Sequence, residues 1–156
     1  MNRTLQEKIA AIQALSLECT EITAVTEEYN YQIEDSGILP PFVRVELVSR
    51  PSDTSYIRHT LWLPMEWNGI FLGIGNGGLA GLLRYERLPV GVIAGCATAH
   101  TDMGTSNGRA RGAKNPEIHK DFGWRATYLM TKLCKQVTER FYGRPTTQRS
   151  TSTARL

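Results

Sequence analysis

Leu5, Ile9, Ile12 and Leu15 recur at three- and four-residue intervals among polar neighbours, which predicts a short amphipathic helix near the start of the chain. The stretches TEITAVTEE, FVRVELV and IRHTLWLP then alternate apolar with polar side chains, and RPSDTS separates the last two as a turn. This period of two predicts consecutive antiparallel strands. IFLGIGN reads as a further strand running into a glycine-rich turn. A weak helical stretch follows near LAGLLRYERL and is stopped by Pro89, and the later part of GVIAGCATAHTD reads as another strand. After a long polar loop comes the clearest helix. Phe122, Ala126, Leu129, Met130, Leu133, Cys134, Val137 and Phe141 keep helical spacing, Asp121 is placed to cap the start, and Gly143 with Pro145 ends it.

Antiparallel strands leading into strand, helix, strand, helix make an α/β mixed sheet whose later strands are parallel. A parallel strand is due after the long helix, because the helix's apolar stripe needs a sheet to cover. The sequence offers TTQRSTSTARL, with one apolar side chain larger than alanine, so the sheet is expected to be cut off mid-pattern. Residues 1–145 therefore form the expected domain portion, and 146–156 a basic polar tail expected to be disordered.

The chain of 156 residues is one domain's worth. Its net charge of +3 invites a nucleic-acid partner until the charge is located. Up to Glu139 there are 14 Lys and Arg against 15 Asp and Glu, and the excess comes from Arg140, Arg144, Arg149 and Arg155. The body is neutral and carries no basic stripe interleaved with aromatics, so nucleic acid is not an expected partner. No apolar run is long enough to span a bilayer, and the N-terminus lacks a signal-peptide core, which makes a cytoplasmic address the expectation. Cys19, Cys96 and Cys134 are odd in number and widely spaced, and are expected to be buried free thiols.

The glycine stretch IFLGIGNGGLAG carries two competing chemistries. Gly73, Gly75 and Gly78 satisfy the G-x-G-x-x-G spacing of a Rossmann-like dinucleotide module, with Asp102 at the end of the next strand as the ribose-binding acid. Against this, the strand before the glycines follows antiparallel strands, and the helix that should receive the pyrophosphate is halted by Pro89. Alternatively, the glycines free backbone N–H groups to face a reacting carbonyl, as an oxyanion hole requires. GTSNG, Gly104 to Gly108, is a literal G-x-S-x-G. Ser106 nevertheless runs into a polar loop where a nucleophile elbow runs into a helix, and only His119 lies beyond it, a few residues on. The pairs His100/Asp102 and His119/Asp121 have spacing suited to a divalent metal but no third anchor, so no metal is expected. DFG at Asp121 lacks the rest of the kinase set.

Taken in order, LPPFVRVELVSRPSDTSYIRHTLWLPMEWNGIFLGIGNGGLAG, AGCATAHTDMGT and NPEIHKDFGWRATYLMTKLCKQVTERFYGRP resemble the tannase and feruloyl esterase family of α/β-hydrolases. The collinear match covers most of the span from Leu39 to Pro145, and WNG-x-FLG-x-GNGG is its most specific part. The resemblance implies a truncated α/β-hydrolase-type sheet and a serine carboxylic ester hydrolase acting on phenolic-acid esters such as gallates or ferulates. It implies a Ser-Asp-His triad, an acyl-enzyme and no cofactor. Gly77 and Gly78 would supply half of the oxyanion hole, with Asn76 shaping the turn. The nucleophile, acid and base are expected beyond the C-terminus, as are the ligands of a lid calcium, so the chain alone is expected to be inactive. Val43 stands where secreted members often carry cysteine. An interaction fragment that pairs through an exposed sheet edge, with itself or with a C-terminal half, is the alternative to an enzyme.

Overall fold

The structure, a computed structural model, describes residues 3–78, 81–105 and 114–152, the last five by backbone alone. Among the described residues six strands form one sheet: β1 (Thr20–Glu28), β2 (Phe42–Ser49), β3 (Ile57–Pro64), β4 (Ile70–Ile74), β5 (Ala97–Thr101) and β6 (Gln148–Ser152). Their order is β1-β2-β3-β5-β4-β6. The first three pair antiparallel and β3 pairs antiparallel with β5, while β4 pairs parallel with both β5 and β6. This is the mixed α/β sheet the pattern predicts.

Helices cover both faces. On one lie α1 (Leu5–Gln13) and α4 (Ala126–Tyr142), which close a core of Ile12, Val45, Leu61, Phe71, Ala99, Met130, Val137 and Phe141. Thr4 caps α1 through a capping box with Glu7, satisfying N–H groups that the first turn leaves open. On the other face, α2 (Pro89–Ile93) and a 3₁₀ turn at Tyr85–Arg87 cover Phe42 and Trp62, whose rings stack 4.5 Å apart. Gly73 lies in β4 under α4, and a Cβ there would come within 3.1 Å of Met130 Cε.

Four expectations are corrected. Pro89 starts a helix where it was expected to stop one, since proline at the first helical position loses no hydrogen bond. Asp121 does not cap the long helix. The helical run begins at Pro116 as α3 (Pro116–Lys120), capped by Asn115, and passes through a π-turn at Asp121–Arg125 into α4. Asp121 is buried and accepts from Arg125 Nε at 2.6 Å, while Arg125 Nη1 also donates to Glu117. Cys96 and Cys134 are buried free thiols, but Cys19 is exposed, in a turn with φ of 42°. Finally, Gln148–Ser152 are a strand, introduced by Thr147 N donating to Gly69 O. Parallel pairing draws on backbone groups, so a run of polar and β-branched residues can complete it without an apolar signature.

Candidate active site

β4, β5 and β6 run in the same direction and finish at one end of the sheet, with Ile74 opposite His100 on one side and Ser152 on the other. The carboxyl ends of parallel strands are where open α/β sheets hold ligands. The loop after β4 crosses this end. Gly75 accepts from Arg87 Nη1 at 3.3 Å, and Asn76 Nδ2 donates to Thr101 O at 2.6 Å, tying the loop to the end of β5. Tyr85, just beyond, donates to both carboxylate oxygens of Glu46 at 3.3 Å. Burial raises the Glu46 carboxyl above its ordinary value and pushes the Tyr85 hydroxyl up to about 12.

Gly78 has a φ of 57°, and an added Cβ would meet nothing, so conformation and not space calls for glycine there. Among the described residues, the Gly77 and Gly78 amides find no hydrogen-bond acceptor. Two neighbouring N–H groups left unclaimed at the strand ends are what an oxyanion needs.

The other sequence candidates separate. Gly73 sits within β4, paired with Ala99, and the first α-helix after the glycines is the five-residue α2, so among the described residues no α-helix start receives a pyrophosphate directly behind the loop. The dinucleotide reading fails on that geometry. Asp102 is fully buried and accepts from Arg58 N, Arg58 Nε and Gly104 N, each within 3.0 Å, which is a structural role and not a ribose contact. His119 is exposed on α3 while Asp121 is buried against Arg125, so the pair does not converge. Ser106 lies outside the described residues. The described serine hydrogen-bonded to a histidine is Ser49, whose Oγ lies 2.9 Å from His59 Nε2. Both are fully buried, so no substrate reaches them. Burial lowers the His59 pKa to about 4.

His100 Nδ1 lies 2.9 Å from Thr101 O, the carbonyl that Asn76 also holds. Sequence reading singled out His100 only as a metal ligand. The partner is a backbone carbonyl that becomes visible when β4 and β5 are set side by side. A cavity of about 700 Å³, lined by Pro41, Pro64, Met65, Trp67, Val92 and Gly95, lies at the opposite end of the parallel strands and is not continuous with this loop.

Comparison with known proteins gives the loop its setting. The chain is 39% identical over 103 residues to the probable feruloyl esterase B-2 of Aspergillus flavus, covering 65% of this chain and 20% of that protein. It is 35% identical over 100 residues to the probable feruloyl esterase B-1 of Aspergillus terreus, covering 64% and 19%. The fold matches the crystal structure of feruloyl esterase B from Aspergillus oryzae with a TM-score of 0.77 and 24% identity, over 92% of this chain and 31% of that one. The chain thus spans about a fifth of the length of the curated relatives it matches. The sequence model described as tannase and feruloyl esterase matches residues 43–151, and the chain belongs to that family.

Proposed function

We propose that this chain carries the N-terminal portion of a serine carboxylic ester hydrolase acting on phenolic-acid esters such as ferulates or gallates, and that it is inactive by itself. One observation carries the reading: the Gly77 and Gly78 amides, unclaimed among the described residues, lie where β4, β5 and β6 all finish. Ester hydrolysis through an acyl-enzyme needs an activated nucleophile, a base to take its proton, and donors for the oxyanion. The loop after β4 supplies donors. The nucleophile belongs after a strand in the position of β6, because an elbow there would face the same loop and add its own N–H to the hole.

The curated relatives named feruloyl esterases support the substrate class, and the short share of their length supports assigning the triad to sequence outside this chain. β6 stands last in the strand order, and its outer backbone groups are the natural docking edge for the rest of such a domain. A cytoplasmic location belongs to the same reading, supported by the exposed free thiol of Cys19, which a reducing compartment protects. No helix among the described residues is long and apolar enough to cross a membrane.

The test is hydrolysis of methyl ferulate and methyl gallate by the purified chain. Triad knockouts in proteases keep only about 10³ to 10⁴ over water, and this chain, holding half an oxyanion hole, should show less. No measurable turnover is expected. Enzyme-like turnover abolished by Ser106→Ala would overturn the reading.

A further inference from the structure

We propose that His100 is a positioning residue for the oxyanion loop, acting with Asn76 through the Thr101 carbonyl that both of them hold. The inference rests on the ester-hydrolase reading for its purpose, but its geometry stands independently.

Asn76 Nδ2 and His100 Nδ1 approach the same oxygen, at 2.6 and 2.9 Å. A carbonyl only accepts, so Nδ1 carries the imidazole proton and Nε2 the lone pair. Nε2 is buried with no partner among the described residues, and His100 itself is fully buried. A second proton there would be a buried charge near Arg87 and Arg84 as well as Glu86, and burial first, then the two arginines, lower the His100 pKa. The ring is therefore held neutral in one tautomer, and the proton on Nδ1 is fixed on the carbonyl.

That carbonyl is the last of β5. Its two lone pairs are filled by one donor from the loop and one from the strand, so the peptide plane that Asn76 grips is itself fixed by His100. Arg87, donating to Gly75 O, holds the residue just before Asn76. Beyond these two anchors, Gly77 and Gly78 have no side chains and, among the described residues, no hydrogen bonds of their own to stiffen them. Donors that stabilise an oxyanion must be preorganised, because reorganising them during the reaction forfeits their benefit. Glycines give the access, and the Asn76–Thr101–His100 arrangement supplies the rigidity that glycines lack. His100 does not touch the reacting atoms in this scheme. It acts through Asn76.

The 156-residue chain tests this by nuclear magnetic resonance without any activity. Long-range proton–nitrogen correlations should show His100 neutral, protonated on Nδ1. Backbone order parameters at Gly77 and Gly78 should be near the rigid value of about 0.85 and fall below about 0.6 in Asn76→Ala. His100→Leu should lower them in the same direction, and His100→Asn should restore them, because its carboxamide nitrogen falls where Nδ1 stood. An isosteric loss of packing would not be rescued that way. An Nε2-protonated ring, or glycine order parameters unchanged in Asn76→Ala, would overturn the proposal. The tautomer is read in the unaltered chain, so a variant that fails to fold does not remove the test. Failure of the ester-hydrolase reading would appear in the hydrolysis assay and leave these measurements as they are.

Discussion

His59 shows how a single side chain can govern the molecule's response to acid. It is fully buried, shares a hydrogen bond with Ser49, and has its pKa lowered by burial from 6.5 to about 4. Between those values the unfolded chain binds the proton and the folded chain refuses it. Its stabilising contribution is therefore complete above about pH 6.5 and lost as pH falls toward 4, by about 3 kcal/mol in all. His100 acts in the same sense, and Glu46, whose carboxyl is raised, acts in the opposite one. Urea denaturation of the chain and of His59→Asn at pH 7 and pH 4.5 isolates the term. The variant should lose less stability on acidification, and an equal loss in both would refute the assignment. The burial of His59 was partly legible, since IRHTLWLP places it on the same face of its strand as Ile57 and Leu61. Its partner was not, because Ser49 meets it only through the β2–β3 register, which pairs His59 with Leu47 and brings Ser49 alongside.

At the scale of elements, period and punctuation located α1, β1, β2, β3, β4 and β5, whose apolar positions face the core, on both sides of the sheet for β2 and β3. They failed where the determinant is not apolar. β6 is held by ladder hydrogen bonds to β4, the start of the helical run is set by Asn115, and the π-turn within it carries the ion pair of buried Asp121 with Arg125. α2 illustrates how tightly a short element can be fitted. A Cβ on Gly91 would lie 2.0 Å from Thr98 Oγ1 and 2.9 Å from its Cγ2, so the helix rests directly on β5. Gly91→Ala should destabilise the chain by about 2 kcal/mol through overpacking. Thr98→Ala removes both clashing atoms, so the double variant should be less destabilised than the sum of the singles by about 1 kcal/mol. Strict additivity in chemical denaturation would show that α2 is not seated as described.

For the whole molecule, the glycine stretch was legible as a special turn but ambiguous in purpose. G-x-G-x-x-G spacing is compatible with a phosphate cradle until the fold places Gly73 inside β4 and the five-residue α2 as the next described α-helix, well beyond the loop. Collinear order, from the antiparallel strands through WNG-x-FLG-x-GNGG to the long helix, distinguished the lineage, and the family match over residues 43–151 bears it out. The function of the Gly77 and Gly78 amides is the claim on which the rest depends. Its most direct test is a chimera in which residues 3–152 replace the matching segment of the Aspergillus oryzae feruloyl esterase B. Methyl ferulate turnover is predicted, and Gly77→Pro, which removes one N–H donor, should cut kcat by about 10² to 10³ with little change in KM. A folded chimera whose kcat is indifferent to Gly77→Pro would contradict the account, as would saturable NAD binding by the chain that Gly75→Ala weakens.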